Sequence, residues 1–363
     1  MPEVEDNKLV DARRRRGRGS RSNVSGRFED LGREAIDDGW GSLEELEPFA
    51  TRVEVETAKT IITTNTSPDI NFDQSVNPYR GCEHGCSYCY ARHSHAFMGL
   101  SPGLDFESRL FAKSNAAELL KNELARPNYV PKVIALGTNT DPYQPIERTW
   151  KITRSVLEVL AAHRHPAGIV TKSALILRDI DILSDMARDG LVKVALSVTT
   201  LDRTVARKME PRASTPDKRL ETIAALAAAG IPVSVMVAPI VPAINDAEIE
   251  KILAAASAAG AREAGYVLLR MPLEIKELFR EWLQTEFPDR AARVISILRS
   301  MRGGQDYDAR WFERQKGSGP YAAQIGARFK LALKRLGLNE RRLTVRTDLF
   351  QRPVLKGGQF ALL

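Results

Sequence analysis

Cysteine is almost absent from this chain, with three among 363 residues. So low and odd a count excludes a disulfide framework and suits a reducing, cytoplasmic compartment. Long apolar runs are missing too. None approaches the roughly 18–20 residues that a membrane span needs. The first twenty residues are charged and lack an apolar core, so no secretory signal is expected. Neither sign of charge dominates: 53 Lys and Arg face 46 Asp and Glu, a net +7. That permits a polyanionic partner without requiring one. What is present is ample apolar material, 43% of the chain, enough for a sizeable core. The length fits two domains or one α/β barrel with extensions.

The start of the chain reads as a disordered tail. Residues 13–22 are basic, punctuated by Gly and Ser, and carry no apolar period. Such a run serves as an electrostatic hook for nucleic acid or merely as a solubilising tail. Residues 23–70 read as a polar lead-in with one short helix near 43–49. From residue 72 a pattern sets in. Short β-branched runs at 72–77, 132–137, 168–171, 192–198, 232–238 and 265–270 alternate with helical stretches at 116–125, 149–162, 179–187, 216–229, 246–259 and 274–283. Thr215-Pro216-Asp217 and Asn245-Asp246 read as helix starts, and Gly190, Gly230 and Gly260 as helix stops. Repeated βα units predict a parallel sheet with right-handed crossovers, either doubly wound or a partial barrel. In both, ligands bind at the C-terminal strand ends. Beyond residue 276 the chain is helical and basic, with 18 Lys and Arg against 9 Asp and Glu. Three regions are therefore expected: 1–71 as tail and lead-in, 72–275 as the α/β core, and 276–363 as a basic helical extension.

The cysteines matter by position. Cys82, Cys86 and Cys89 fall within eight residues, just after the first strand of the repeating units. Gly81 and Gly85 let the loop curl tightly enough for the thiolates to converge. Soft thiolates select zinc, copper(I) or iron–sulfur clusters. A closed zinc or iron–sulfur site wants four protein ligands, so three leave one position open for a substrate or cofactor. A zinc site completed by His84, His93 or His95, in a non-catalytic module that recognises nucleic acid, is the alternative.

Cys82-x3-Cys86-x2-Cys89, with an aromatic residue before the last cysteine and a (βα)6 series behind it, resembles the radical S-adenosylmethionine (SAM) superfamily. The resemblance implies an α/β fold, a partial (βα)6 TIM-type barrel with N-terminal and helical C-terminal extensions. It implies a [4Fe–4S] cluster on the three cysteines, with SAM chelating the fourth iron. Reductive cleavage of SAM then yields a 5′-deoxyadenosyl radical that abstracts hydrogen from substrate. It implies an electron donor such as flavodoxin or ferredoxin.

Other strand ends are similar to the spore photoproduct lyase-like branch, which includes relatives of DNA-repair photolyases. These are Gly137-Thr138-Asn139-Thr140-Asp141, Thr171-Lys172-Ser173, Leu196-Ser197, Met209-Glu210-Pro211 and Val237-Ala238-Pro239. By that resemblance Thr140 and Asp141 receive the SAM amino group, in place of the usual Gly-Gly-Glu-like element. Lys172 lies near the SAM carboxylate, Ser197 near ribose or carboxylate, and Ala238 beside adenine. Tyr88 packs at the cluster and Tyr90 projects toward the active site. One departure is large. The branch's fourth cysteine, its hydrogen donor, is matched by Thr138, and a hydroxyl is a far poorer hydrogen-atom donor than a thiol. Photoproduct lyase activity as such is therefore not expected. Tyr79, Tyr90 and Tyr143 stand as substitute donors, with Tyr90 and Tyr143 the catalytic candidates. A damaged or modified nucleic-acid base is the expected substrate, with a peptide or small molecule as the alternative. No spare cysteine exists for an auxiliary cluster, which argues against the methylthiolating and many peptide-modifying branches.

Overall fold

A computed structural model of the chain describes residues 9–29 and 47–354. The short helix expected near 43–49 lies largely outside them. Among the described residues, ten strands form two sheets: β1 (Arg52–Val55), β2 (Ile62–Thr64), β3 (Gln74–Val76), β4 (Tyr79–Arg80), β5 (Arg109–Ala112), β6 (Ile134–Leu136), β7 (Ala167–Thr171), β8 (Val192–Ser197), β9 (Val233–Ile240) and β10 (Glu263–Leu268). The large sheet runs β2-β3-β6-β7-β8-β9-β10. From β3 to β10 every pairing is parallel, and β2 joins the edge antiparallel. These parallel strands are the six expected runs. Helices Ala116–Leu124, Ile152–Ala162, Ile180–Arg188, Pro216–Ala228 and Ile249–Ala258 form the crossovers. This is the partial TIM-like arrangement, a single open sheet without closure.

Strand alternation divides the sheet into two unlike faces. Ile169, Val194 and Val233 stand in register on one face, with Val192, Leu196, Val235 and Val237 beside them, all buried in the core. The opposite face carries Gly168, Ala195, Ser197, Ser234, Ala238 and Gly265, together with Val170, Lys193 and Met236. Parallel sheets covered on both faces read as continuous apolar runs. Here small residues predominate on one face and most of it stays only half-buried, so it remains open as a hollow. Lys172 follows β7 on that same face, one register step beyond the Thr171↔Leu196 pair and thus level with Ser197.

Local chemistry explains the helix ends. Thr215 Oγ1 accepts from the Lys218 N–H at 3.4 Å, with Pro216 in the first turn. Asn245 does not cap a helix. Its Oδ1 accepts from the Val241 N–H and its amide donates to the Thr199 and Pro239 carbonyls, so it fixes the loop after β9. The basic extension is helical as expected, in Ile275–Glu286, Pro288–Ser300 and Gly319–Leu336.

The basic N-terminal run is not a free tail where the structure describes it. Arg18, Ser20, Arg21 and Ser22 are buried. Arg18 donates to the Phe49 and Glu107 carbonyls and to the Thr51 hydroxyl. Arg21 pairs with Glu286, and the Ser22 hydroxyl donates to Glu281 at 2.6 Å. Composition suggested disorder because no apolar period holds this segment. Acceptors far along the chain hold it instead.

Candidate active site

The cysteine loop leaves β4, which pairs antiparallel with β5 in the small sheet β1-β5-β4. Gly81 has φ +73°, and a Cβ there would lie 2.6 Å from Leu110 Cδ2. Gly85 has φ +67°, and a Cβ there would lie 2.7 Å from the Glu107 carboxylate. Both positions therefore require glycine, as the tight curl predicted. The loop is gripped from all sides. The Cys82 N–H donates to the Phe106 carbonyl at 2.9 Å. Gln144, fully buried, accepts from the Glu83 N–H at 2.8 Å and donates to the Gly81 carbonyl at 3.1 Å. Arg92 donates twice to the Cys86 carbonyl, at 3.0 and 2.9 Å. The Ser87 N–H donates to the Met209 carbonyl at 3.0 Å.

Beneath Arg92 lies a buried ion pair with Glu107, both side chains 0% exposed. Glu107 also accepts from the backbone N–H groups of Gly19 and Ser20 at 2.8 and 2.7 Å. A Cβ on Gly19 would sit 1.6 Å from the Gly85 carbonyl oxygen. The N-terminal segment is thus a strap laid against the cysteine loop.

The thiols stand in an environment that resists charging. Burial first, then Asp141 and the other two cysteines, pushes Cys82 well up. Burial and Glu210 push Cys86 up to about 12, and Lys172 partly offsets them. Burial raises Cys89 against the pull of Arg92. Three thiolates this close need a cationic centre among them. In a [4Fe–4S] cluster each thiolate holds a different iron, so three soft, mutually coupled donors on one loop fit the cluster. Of the histidines of the zinc alternative, His84 faces Asp141, His93 Nδ1 bonds the Tyr90 carbonyl, and His95 bonds the Arg109 carbonyl through Nε2.

The open face brings Lys172, Ser197 and Ala238 together at the C-terminal strand ends. The Lys172 ammonium lies 5.8 Å from the centre of the Tyr88 ring. Burial lowers its pKa, but Glu210 and Cys86 outweigh that and hold the ammonium charged. The Tyr88 hydroxyl donates to Glu210, which also accepts from Thr199 at 2.6 Å and pairs with Arg219. Burial alone would raise the Glu210 pKa; Arg219 and Lys172 lower it below the usual value. Arg219 in turn donates to the Ser197 carbonyl at 2.9 Å. Glu210 and Arg219 thus support the strand end from beneath. Only the Met209-Glu210-Pro211 element hinted at them.

Thr140 and Asp141 sit differently from the expectation. Asp141 Oδ1 accepts from the Tyr143 N–H at 2.9 Å and the Thr171 hydroxyl at 2.7 Å. Its Oδ2 accepts from the Lys172 N–H at 2.8 Å and lies 3.4 Å from His84 Nδ1. A carboxylate offers about four acceptor positions; hydrogen bonds take three of them, and His84 Nδ1 stands on the fourth side without a hydrogen bond. Burial pushes this carboxyl up, but His84 and these donors bring it down to about 2. Thr140 bonds the Tyr79 carbonyl at 3.3 Å. The pair ties strand ends together and holds the Lys172 backbone, rather than standing free for an ammonium group.

The three tyrosines separate cleanly. Tyr79 is buried, its hydroxyl on Glu147. Tyr143 is 0% exposed, and burial followed by Asp179 raises its pKa far up. A donor to a substrate radical has to reach a cavity, so the structure removes Tyr79 and Tyr143 from that part. Tyr90 alone of the three is exposed, at 40%. It is the residue after Cys89, its hydroxyl donates to the Thr138 carbonyl, and Arg270 covers one ring face at 5.0 Å. The phenol therefore stands beside the position where the resemblance would place a cysteine.

The cysteine loop lies at the mouth of an open parallel sheet, with a cation and small residues on the hollow face. Residues 76–256 match the Radical SAM superfamily model. An uncharacterized protein of Mycobacterium tuberculosis is 36% identical over 230 residues, 63% of this chain and 68% of its own length. An uncharacterized protein of Methanocaldococcus jannaschii is 29% identical over 173 residues, 48% of this chain and 62% of its own. Among solved structures, spore photoproduct lyase complexed with dinucleoside spore photoproduct aligns over 79% of this chain and 80% of that one, with TM-score 0.53 and 16% identity, a likeness of fold. The chain belongs to the radical SAM superfamily, whose enzymes use a [4Fe–4S] cluster and SAM and need an electron donor. No helix among the described residues is long and apolar enough to cross a membrane.

Proposed function

We infer that this enzyme abstracts hydrogen from a nucleic-acid base or its sugar, and that Tyr90 returns a hydrogen atom to the product radical, the resulting Tyr90 phenoxyl being restored by one electron from the electron donor and a proton from solvent. One observation carries the reading: the phenol next to Cys89 is exposed at the mouth, stacked under the Arg270 guanidinium. An exposed aromatic face with a cation on it suits a base and its phosphate better than an apolar side chain. When bound, the cluster and SAM supply a 5′-deoxyadenosyl radical. Cys82, Cys86 and Cys89 would hold the cluster, and Lys172 the carboxylate of SAM. Ser197 and Ala238 would border its nucleoside on the hollow face. A base inside a duplex would have to leave the stack to reach this hollow.

The fold likeness to a lyase complexed with a dinucleoside photoproduct supports the substrate class, while Thr138 in place of a thiol points to a different final step. The test is the stimulation of 5′-deoxyadenosine formation by oligonucleotides, with and without ultraviolet damage. Stimulation by nucleic acid supports the reading; stimulation only by peptides or small metabolites contradicts it.

A further inference from the structure

We propose that an arginine–aromatic rim around the mouth, built from Phe28, Phe97, Tyr90, Trp311 and Phe312, stacks unpaired bases and so selects single-stranded or flipped nucleic acid. The proposal rests on the nucleic-acid reading above and deepens it. Large side chains that fold into cores should not stand in water. Yet Phe97 and Phe312 are 67% and 68% exposed, with Phe28 and Trp311 above half. Three arginines lie on these rings. Arg27 covers Phe28 at 5.0 Å and Phe97 at 5.2 Å, Arg270 covers Tyr90 at 5.0 Å, and Arg314 covers Trp311 at 4.3 Å. Phe28 and Phe97 are themselves 5.2 Å apart and tilted.

The pairs follow one another around the mouth. Arg27 faces Glu274 at 3.5 Å, on the loop that continues from Arg270. Arg302 donates to the Leu269 carbonyl at 3.1 Å and to the Glu313 carbonyl at 2.5 Å, which ties the residue before Arg270 to the residue before Arg314. The far arc is held rigidly. Phe312 takes a left-handed backbone, φ +66°, with its N–H on Asp69 Oδ1 at 2.5 Å. Arg314 pairs with Asp69 and donates to the Ser67 hydroxyl at 2.5 Å.

The charges decide what this rim binds. Arg27 and Arg314 are offset by Glu274 and Asp69, so they act as flat stacking partners more than as phosphate hooks. Arg270 has no carboxylate partner among the described residues and is left for a phosphate. Guanidinium planes interleaved with exposed rings, around one unneutralised cation, match a strand of stacked bases. A purely apolar peptide would have to bury these guanidinium groups, and a duplex would keep its base faces hidden.

The test uses the anaerobically reconstituted full chain and fluorescein-labelled 12-mers: single-stranded DNA, single-stranded RNA and blunt duplex DNA, read by anisotropy. Either single strand should bind at least tenfold more tightly than the duplex. Trp311→Ala/Phe312→Ala and, separately, Phe97→Ala should each weaken single-strand binding by about 5- to 150-fold per lost stack. Leu331→Ala, equally exposed on a distant helix, should change nothing. Poly-glutamate should fail to compete. Both aromatic sites are exposed, so circular dichroism should stay unchanged and keep the comparison valid. Wild-type affinity in both aromatic variants overturns the rim while leaving the nucleic-acid reading intact. Absence of binding to every nucleic acid overturns that reading as well. Equal duplex binding, or full competition by poly-glutamate, reduces the site to charge and overturns the rim.

Discussion

Replacing Glu107 with Gln should loosen the cysteine loop and the N-terminal strap together. In the native protein Glu107 Oε1 accepts from the Ser20 N–H and Arg92, and Oε2 from the Gly19 N–H. Glutamine removes the charge and turns one acceptor toward a donor as an NH2 group. Arg92 keeps its bonds to the Cys86, Pro102 and Gly103 carbonyls but loses its paired carboxylate in a fully buried site. Breaking one side of a buried pair costs about 3–5 kcal/mol, and the retained carbonyl bonds favour the lower figure. Unfolding entropy of about 2 cal/mol/K per residue, over this length, turns ~3 kcal/mol into a Tm lower by about 4 °C. Scanning calorimetry of the anaerobic protein reads this directly. Arg13→Ala, at an exposed side chain, is the control. Gly19→Ala should act from the other side, since its Cβ meets the Gly85 carbonyl, and should lower iron retained per chain. If Glu107→Gln melts within about 1 °C of wild type and Gly19→Ala keeps full iron, the strap does not seat the loop and the reasoning fails.

Lys172→Met should retain iron while weakening SAM binding about tenfold, the loss of one charge-assisted contact; equilibrium dialysis reads it, and unchanged affinity would place the SAM carboxylate elsewhere. Tyr90→Phe keeps the ring under Arg270 but removes the phenolic hydrogen. It should still form 5′-deoxyadenosine while product per turnover falls by about tenfold or more, and an unchanged ratio would remove Tyr90 as donor. His165, fully buried between Tyr129 and the Pro166 carbonyl, is held neutral by burial, its pKa lowered from 6.5 to about 4. The unfolded chain then binds the proton more readily. Stability from this site is complete above pH 6.5 and is lost as pH falls toward 4, by up to about 3 kcal/mol. Urea midpoints across that window should slope with pH in wild type, and the slope should flatten in His165→Gln.

The parallel strands were legible because buried β-branched runs set apart by helical periods have few alternative readings. The glycines of the cysteine loop were legible because three thiols within eight residues leave the backbone no other way to turn. Lys172, Ser197 and Ala238 proved to share a face, since alternation fixes facing once register is known. Residues whose meaning depends on distant partners were not legible. Asp141 had the residue type of an ammonium acceptor, but Thr171 and the Lys172 backbone fill it. Tyr143 had the right chemistry and lies beneath the loops. Gly19 and Glu107 are 88 positions apart, and no local pattern announces that the basic run is a strap. The small sheet β1-β5-β4 escaped notice because strands of two to four residues carry no readable period.

Transfer of deuterium tests the account most directly. The reconstituted enzyme is given SAM, a reductant and a single-stranded oligonucleotide deuterated at its base and sugar carbons, and the 5′-deoxyadenosine is weighed by mass spectrometry. The account predicts a one-deuteron increase that disappears in Cys82→Ala. Abundant 5′-deoxyadenosine that stays unlabelled with every nucleic acid offered, but takes up label from a deuterated peptide or metabolite, would contradict it.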